Sequence, residues 1–496
     1  MGEPKSDRGG LGDVIPVPAE VRPDPAASFT IHSGTAIRTD PRAAAVAEHL
    51  AVALRSATGY AVPVSRTAGS IVLTLTGDGA DEDELADENY ELEVATDLVT
   101  VRAVAPAGLF AAVQTLRQHL PVTGSGDVTV PGGRIVDHPR FAYRGVMLDV
   151  ARHFFTADEV KSYIDAIVQF KVNHLHLHLT DDQGWRLEIA GWPRLTEVSG
   201  GAGTGVDGAG PGFFTAAEYA DLVAYAADRF VTVVPEIDMP GHVNAVQVAY
   251  PELTADGQPV APRTDAEVGY SSFVAGKEET YAFVEDVIRV VAALTPGPFL
   301  HIGGDEAFST TAEDYRTFMT RVLPLAGKYG KRAIGWHEMA AVDLPPTAVP
   351  QYWRIEPTDD GVARAAEAGH QVIMSPADRS YLDMKYDEHS PLGLDWAGVV
   401  SVERSYDWDP ADRLPGVGEE SVLGVEAPLW SETLRSPADV QYMAFPRLPA
   451  IAEIGWSPRA GRDWSSFRRR VAAFGPRWTS QGVNFYRSPE IDWPEE

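Results

Sequence analysis

Apolar and polar positions follow two different patterns along the chain, and the change comes near Tyr143. Before it, helical spacing in AAAVAEHLAVALRSATG and PAGLFAAVQTLRQHL alternates with strand-like runs in SIVLTLTG and YELEVATDLVTVRAV. Gly59 is placed to end the first helix, and Pro106 to begin the second. These segments predict a small N-terminal α/β domain over residues 13–137, after a disordered tail of residues 1–12. We interpret RIVDHPRF as the linker that follows.

From Tyr143 onward, short apolar runs alternate with amphipathic helical segments. Capping boxes begin two of these helices, at Thr156 with Glu159 and at Thr215 with Glu218. Eight apolar runs match the strand count of a (β/α)8 barrel, and they read YRGVMLDV, NHLHLHLT, VTVVPEI, PFLHIGG, RAIGW, AVPQYW, QVIMS and VLGVEA. We therefore predict an α/β fold in which a (β/α)8 TIM barrel with a C-terminal helix spans residues 138–496. A doubly wound open sheet is the alternative, but no G-x-G-x-x-G follows the first strand.

Composition and charge narrow the range of partners. The 496 residues carry a formal net charge of −30, which disfavours binding to nucleic acid or to an anionic membrane. Cysteine is absent, so disulfides, thiolate nucleophiles and Cys-ligated metals are excluded. No apolar run reaches the ~18 residues of a membrane span, and no signal peptide is visible. We expect a cytoplasmic protein, with secretion after signal removal as the alternative, and a monomer, with a dimer as the alternative.

The residues that follow the predicted strands are rich in carboxylates, aromatic rings and arginine. The C-terminal ends of barrel strands face the active site, so these side chains should converge. Carboxylates and Arg bind sugar hydroxyls, and indole faces stack on sugar rings, which together indicate a neutral sugar ligand. The residues are Asp149, Arg152, His153, Asp181, Asp182, Trp185, Glu236, Asp238, His242, Asp305, Glu306, Trp336, Glu338, Trp353, Tyr381, Asp383, Trp430 and Glu432.

The run HLHLHLTDD allows two interpretations. His174, His176 and His178 share one face of a strand, and His with Asp can bind a metal. Buried histidines that are simply hydrogen-bonded fit the same pattern. We favour the second interpretation, because His174 lies too deep for an open metal site, and we expect neither a metal nor another cofactor.

The run HIGGDEAF places two acids, Asp305 and Glu306, side by side. Two glycines before them release the regular alternation of a strand, so both acids can enter one pocket. Sugar hydrolysis commonly uses two carboxylates on opposite faces of the ring. Adjacent residues do not easily straddle a ring. We therefore expect that one acid protonates the leaving group while the other assists from the same side.

Several motifs resemble those of family-20 glycoside hydrolases, the β-N-acetylhexosaminidases, and are most similar to the bacterial type. They are HIGGDEAF, GVMLDVARHFF, LHLTDDQGWR, PEIDMPGH, YLDMKY and APLWSET, and the resemblance covers nearly the whole chain. It implies substrate-assisted catalysis, in which the 2-acetamido oxygen of the sugar attacks the anomeric carbon and forms an oxazolinium intermediate. Glu306 then matches the general acid and base, Asp305 the partner of the acetamido N–H, and Tyr381 the partner of the acetamido oxygen.

The resemblance also implies roles for residues that bind the sugar. The walls around the acetamido methyl match Trp336, Trp353 and Trp430. The hydroxyl contacts match Arg152, Asp383 and Glu432. Asp181 and His242 match residues that support the acid, and Trp396 matches a residue of the leaving-group subsite. A dry, Trp-lined pocket should raise the pKa of Glu306, while hydrogen bonds should keep Asp305 ionised.

The resemblance implies a retaining exo-hydrolase that removes terminal β-linked N-acetylglucosamine or N-acetylgalactosamine from oligosaccharides or glycoconjugates, chitin fragments among them. One alternative is the same mechanism with release of a disaccharide, or with transglycosylation. A second is an amino-sugar-binding barrel without catalysis, and a third is a metal-dependent hydrolase that uses His and Asp at the barrel mouth.

Overall fold

The computed structural model describes residues 10–77 and 86–495. The chain divides into two compact units, one formed by the chain up to Ala142, Ile167–Lys171 and Ala452–Glu496, the other by Tyr143–Ala166 and Val172–Ile451. Most of the predicted tail lies outside the described residues, and Leu11 within it is buried. The predicted boundary at residue 137 stays a prediction. Residues 452–496, assigned from sequence to the barrel, group with the first unit.

The first unit contains a mixed sheet of seven strands among the described residues. In spatial order β1-β7-β5-β6-β4-β2-β3, the strands are β1 (Glu20–Ile31), β7 (Val128–Asp137), β5 (Tyr90–Val94), β6 (Val99–Ala103), β4 (Ile71–Leu75), β2 (Ile37–Thr39) and β3 (Val64–Ser65). Helices α1 (Ala44–Thr58) and α2 (Pro106–Gln118) pack against this sheet. Gly59 ends α1 in the left-handed conformation at φ 73°, as predicted.

The segment RIVDHPRF corrects one prediction. Its first four residues, Arg134–Asp137, belong to strand β7, which pairs antiparallel with both β1 and β5. Four strand residues carry too little alternation to predict a strand by themselves. The pairing that makes it a strand involves residues far away in the chain, which local pattern does not reveal.

The second unit contains a closed barrel of eight parallel strands within the described residues. In chain order they are β8 (Tyr143–Asp149), β9 (His174–His178), β12 (Thr232–Glu236), β13 (Phe299–His301), β14 (Arg332–Trp336), β15 (Val349–Tyr352), β16 (Val372–Met374) and β17 (Val422–Ala427). A short hairpin of β10 (Thr180–Asp181) and β11 (Gly184–Trp185) follows β9. Each predicted run contains one barrel strand, so the predicted α/β TIM-barrel fold is confirmed.

Helices connect the barrel strands, while the last two helices of the described chain group with the first unit. The remaining helices are α3 (Ala157–Ile167), α4 (Arg194–Ser199), α5 (Ala216–Ala227), α6 (Asn244–Ala249), α7 (Glu278–Leu294), α8 (Ala312–Lys328), α9 (Asp360–Glu367), α10 (Ala377–Ser380), α11 (Val402–Tyr406), α12 (Pro437–Ala444), α13 (Arg447–Trp456), α14 (Trp464–Ala472) and α15 (Phe474–Gln481). The predicted capping box is complete at Thr215, whose side chain and backbone exchange bonds with Glu218. None of the helices described has the length and apolar character to cross a membrane.

Strand β9 shows how the barrel positions its chemistry. Leu175 and Leu177 point to one face, while His176 and His178 point to the other and are fully buried inside the barrel. The polar face continues to the strand end, where the chain turns through Thr180 into the hairpin. The barrel interior therefore contains buried titratable side chains, and these continue to the carboxyl ends of the strands.

Candidate active site

The turn after β13 explains how two adjacent acids share one pocket. Gly303 and Gly304 have φ angles of 69° and 102°, and Glu306 itself has a φ of 46°. A Cβ on Gly303 would lie 1.7 Å from Oδ1 of Asp238, so the close approach requires glycine. Left-handed backbone at these positions ends the strand alternation, and both Asp305 and Glu306 line the same pocket.

This pocket has a volume of about 290 Å³ at the carboxyl ends of the strands. It brings together ten of the predicted site residues: Arg152, Asp305, Glu306, Trp336, Trp353, Tyr381, Asp383, Trp396, Trp430 and Glu432. Sequence reasoning missed three lining residues, Ala266, Val268 and Leu394. These are small or aliphatic residues on connecting loops, where no local signal marks them. The predicted residues Asp181 and His242 do not line the pocket.

Aromatic rings form the walls. Trp353 stacks with Tyr381 at a centroid distance of 6.5 Å, and Trp336 lies 5.7 Å from Trp430. The indole of Trp336 donates to Oε1 of Glu236 over 2.9 Å, and this ring is 1% exposed. Trp396, by contrast, is 48% exposed. The arrangement gives a rigid apolar inner wall and one half-exposed indole.

Arg152 is held from two sides at the polar end of the pocket. Its Nη2 lies 2.8 Å from Oδ2 of Asp181, and its Nε donates to Gln183 over 3.2 Å. The guanidinium lies 4.9 Å from the centroid of Trp430. These contacts fix the direction of a cation that would otherwise be mobile.

Several buried polar atoms of the pocket have no hydrogen-bond partner among the described residues. Buried polar groups in folded proteins are normally paired, so a cluster of such atoms in one pocket indicates a ligand with many hydroxyl or amide groups. The atoms are Nη1 of Arg152, Oδ1 of Asp305, both carboxylate oxygens of Asp383 and Oε2 of Glu432.

Behind the pocket, contacts run from Asp181 through His242 to the two acids. Asp181 contacts Nε2 of His178 at 2.7 Å and Nδ1 of His242 at 3.1 Å. The other ring nitrogen of His242 lies 3.6 Å from Oδ2 of Asp305 and 3.6 Å from Oε2 of Glu306. His242 adopts a φ of 56°, a conformation that non-glycine residues seldom take. The position of Asp181 and His242 fits support of the acids rather than contact with a ligand.

Two family profiles match the chain. The catalytic domain of glycosyl hydrolase family 20 matches residues 141–314 and 308–459, and domain 2 of the same family matches residues 12–138. The chain belongs to glycosyl hydrolase family 20. The predictions of family and of glycoside hydrolase chemistry are therefore confirmed.

Relatives of this family-20 chain match it over almost its full length. A β-N-acetylhexosaminidase of Cellulomonas fimi is 41% identical over 483 residues, which cover 97% of each chain. A mutant β-hexosaminidase of Streptomyces plicatus, solved in complex with product GlcNAc, is 50% identical, covers 98% of both chains and superposes with a TM-score of 0.94. A family-20 β-N-acetylhexosaminidase of Streptomyces coelicolor A3(2) is also 50% identical, over 98% of this chain and 99% of that one, with a TM-score of 0.93.

Burial raises the pKa of three acids that line the family-20 site. Burial, together with the charge of Asp305, raises the pKa of Glu306 to about 7. Burial also raises the pKa of Asp305, although the charge of His242 opposes this. The expectation that hydrogen bonds keep Asp305 ionised stays a prediction, since its buried Oδ1 has no donor among the described residues while backbone hydrogen bonding lowers its pKa. Burial likewise raises the pKa of Asp383 well above its ordinary value.

Histidine and carboxylate groups in the barrel also meet the distance requirement for metal ligands. His176, Glu236 and His301 place ligand atoms within 4.8 Å of one another, and so do His178, Asp181 and Asp238. The ring nitrogens of His176 and His178 that face these carboxylates are engaged in hydrogen bonds with them. The contacts match the predicted interpretation of hydrogen-bonded core histidines.

Proposed function

We propose that this family-20 chain is a retaining exo-hydrolase that removes terminal β-linked N-acetylglucosamine or N-acetylgalactosamine by substrate-assisted catalysis. The observation that carries the proposal is the left-handed turn at Glu306, which directs two neighbouring acids into one Trp-lined pocket. Two neighbouring acids do not easily lie on opposite faces of a sugar ring, which supports the nucleophile that family 20 implies, the acetamido oxygen of the substrate.

In the first step, the acetamido oxygen attacks the anomeric carbon as the bond to the leaving oxygen breaks. Glu306 is assigned as the acid that gives its proton to that oxygen, and a pKa of about 7 suits this task near neutral pH. Asp305 is assigned to the acetamido N–H, with its unpaired Oδ1 as the acceptor. The charge that develops on the oxazolinium ring is thereby stabilised.

Tyr381 is assigned to the acetamido oxygen, where its hydroxyl would orient the attack. Trp336, Trp353 and Trp430 are assigned as walls around the methyl group, which they would hold dry and in place. In the second step, the Glu306 carboxylate takes a proton from water, the water oxygen attacks the anomeric carbon, and the ring reopens. Two displacements at one carbon give net retention of configuration.

The hydroxyls of the sugar are assigned to the polar end of the pocket. Arg152 is fixed by Asp181 and would donate to the 3- and 4-hydroxyls through Nη1, which lies 3.6 Å from Oδ2 of Asp149 and makes no hydrogen bond among the described residues. Asp383 and Glu432 are the proposed acceptors for further hydroxyls. Trp396, which is half-exposed, is assigned to the leaving-group side.

Two further predictions remain open to experiment. The pocket of about 290 Å³ favours one sugar at a time, so we expect exo-hydrolysis rather than disaccharide release, with transglycosylation as the alternative. Chromatography of the products from a trisaccharide of β-linked N-acetylglucosamine distinguishes these activities. The monomeric state and the cytoplasmic location, with their alternatives, also stay predictions.

One comparison of rates tests the mechanism. An aryl β-glycoside with a 2-acetamido group is compared with the same sugar bearing a 2-hydroxyl group. Because an intramolecular nucleophile is worth many orders of magnitude in effective concentration, we expect kcat/KM to differ by at least about 10³-fold. Rates within about tenfold of each other would overturn the proposal.

A further inference from the structure

Glu236 lies inside the barrel, at the end of β12, and is fully buried. Its Oε2 accepts hydrogen bonds from Nε2 of His176, at 3.0 Å, and from Nδ1 of His178. Its Oε1 accepts from the indole of Trp336 over 2.9 Å and lies 3.0 Å from Nδ1 of His301. One carboxylate thus joins three different barrel strands, β9, β13 and β14.

Two of these partners lead to the pocket by separate routes. On one side, His178 continues to Asp181 at 2.7 Å, and Asp181 contacts both Arg152 and His242. On the other side, Trp336 forms part of the pocket wall. Arg152 and His242 are therefore connected to Glu236 through Asp181 and His178, and Trp336 is bonded to Glu236 directly.

We propose that Glu236 is a positioning residue for the reaction, which holds Asp181 through His178 and holds Trp336 directly. The inference rests on the proposed function and adds a residue that contacts neither substrate nor reacting atoms. A residue bonded only for the stability of the barrel would not need to reach two separate parts of the pocket.

The charge distribution fits this role. Burial alone would favour a neutral His178, but the charges of Glu236 and Asp181 raise its pKa well above the ordinary value. Burial opposes ionisation of Glu236 too, but the surrounding histidines, led by His178, lower its pKa well below the ordinary value. An imidazolium between two carboxylates donates from both nitrogens, and both of its bonds depend on Glu236 being ionised.

Other groups face this pair and contribute to the same field. The titratable groups are His176, Asp181, Asp238, His242, His301, Asp305 and Glu426, with the cation of Arg152 beside Asp181. The rings of Trp336 and Trp430 complete the surroundings. None of these is changed in E236Q.

The test is E236Q, assayed on the acetamido aryl glycoside across pH. Without Glu236, one of its two anionic partners, the pKa of His178 should fall, so the proton that His178 donates to Asp181 is lost at lower pH than in the wild type. We expect kcat/KM to fall about 10- to 100-fold and its alkaline midpoint to move down by about one pH unit. A uniform fall with an unchanged midpoint would overturn the proposal and leave Glu236 a structural residue.

E426Q is the matched control. Glu426 is also a fully buried barrel carboxylate, and it contacts His176, Tyr143 and Gln351 but not Asp181 or Trp336. Both variants should lose thermal stability, and E426Q should keep the wild-type pH midpoint. The same shift of the midpoint in both variants would contradict a specific role of Glu236.

Two further measurements keep the tests of function and of positioning separate. Nitrogen-15 NMR of histidine, with His178 assigned from H178Q, should show a pKa of His178 well above its ordinary value in the wild type and a lower pKa in E236Q, whether or not the protein turns over substrate. If E236Q does not fold, H178Q is compared with H176Q, its neighbour on the same strand. H178Q should lose about 10- to 100-fold in kcat/KM and H176Q clearly less; equal losses would overturn the proposal.

Discussion

The barrel interior and the pocket above it both bury carboxylates, but they treat them in opposite ways. Glu426 in the interior accepts from Gln351 at 2.8 Å and from Tyr143 at 2.5 Å, and it contacts His176 at 2.9 Å. In the pocket, neither oxygen of Asp383 finds a hydrogen-bond partner among the described residues. Glu426 is thus hydrogen-bonded where it builds the barrel, whereas Asp383 is left for a ligand to pair.

The pKa directions follow the same division. Burial would raise the pKa of every one of these acids. In the interior the histidines outweigh burial, so the pKa of Glu426 is lowered, chiefly through the charge of His176. In the pocket burial prevails, and the pKa of Asp383 is raised well above its ordinary value. The presence of a cationic or hydrogen-bonding partner, rather than burial itself, decides the direction in which the pKa of each acid shifts.

The largest effect is expected when an acid of the pocket, Glu306, is replaced. Glu306→Gln removes the proton that the leaving oxygen needs, so we expect kcat/KM for substrates with a poor leaving group to fall by about 10³- to 10⁴-fold. Activated aryl leaving groups need less protonation and should lose much less. Steady-state rates across a series of aryl leaving groups measure this difference. Equal losses along the series would argue against Glu306 as the acid.

Asp305→Asn should have the next largest effect. The amide keeps the shape of the side chain but removes the charge that faces the acetamido N–H, so kcat should fall by about 10²- to 10³-fold. The unfolding transition should stay cooperative, because Oδ1 of Asp305 makes no hydrogen bond within the described residues. Circular dichroism and kcat on one preparation check both statements, and an unchanged kcat would remove Asp305 from the mechanism.

A stability contrast sharpens the comparison further. Glu426→Gln breaks a paired interior acid and should lower the free energy of unfolding by about 3 kcal/mol. Asp383→Asn should instead raise it by about 1 kcal/mol at pH 7. An acid whose pKa is raised on folding stabilises the fold only below its unfolded pKa and loses that contribution as pH rises, so the gain should vanish near pH 4. Urea unfolding at both pH values measures this, and a loss of stability in Asp383→Asn at pH 7 would contradict the account.

The pH profile gives the smallest of these effects. Glu306 has to be protonated for the first step, and its pKa is raised to about 7, so kcat/KM should fall about tenfold per pH unit above that value. Glu306→Gln cannot deprotonate and should lose this alkaline limb. Profiles on a substrate with an activated leaving group, which both proteins cleave, allow the comparison. An alkaline limb that persists unchanged in the variant would assign it to another group.

Local pattern predicted the barrel well and the pocket in part. Each barrel strand is a short apolar run that can be read by itself, and the polar residues at strand ends follow from the fold. Strand β7 was missed because its partners are distant in sequence. Glu236 was visible as a strand-end acid, but its partners come from three different strands, and only the folded barrel reveals them.

The central claim is that the nucleophile belongs to the substrate, and a graded series of N-acyl groups tests it most directly. Aryl β-glycosides of glucosamine that carry acetyl, fluoroacetyl, difluoroacetyl and trifluoroacetyl groups differ little in size, while each fluorine makes the carbonyl oxygen a weaker nucleophile. The account predicts a steep and continuous fall in kcat across the series, because that oxygen attacks the anomeric carbon. A flat series would contradict it and would place the nucleophile on the protein or on water.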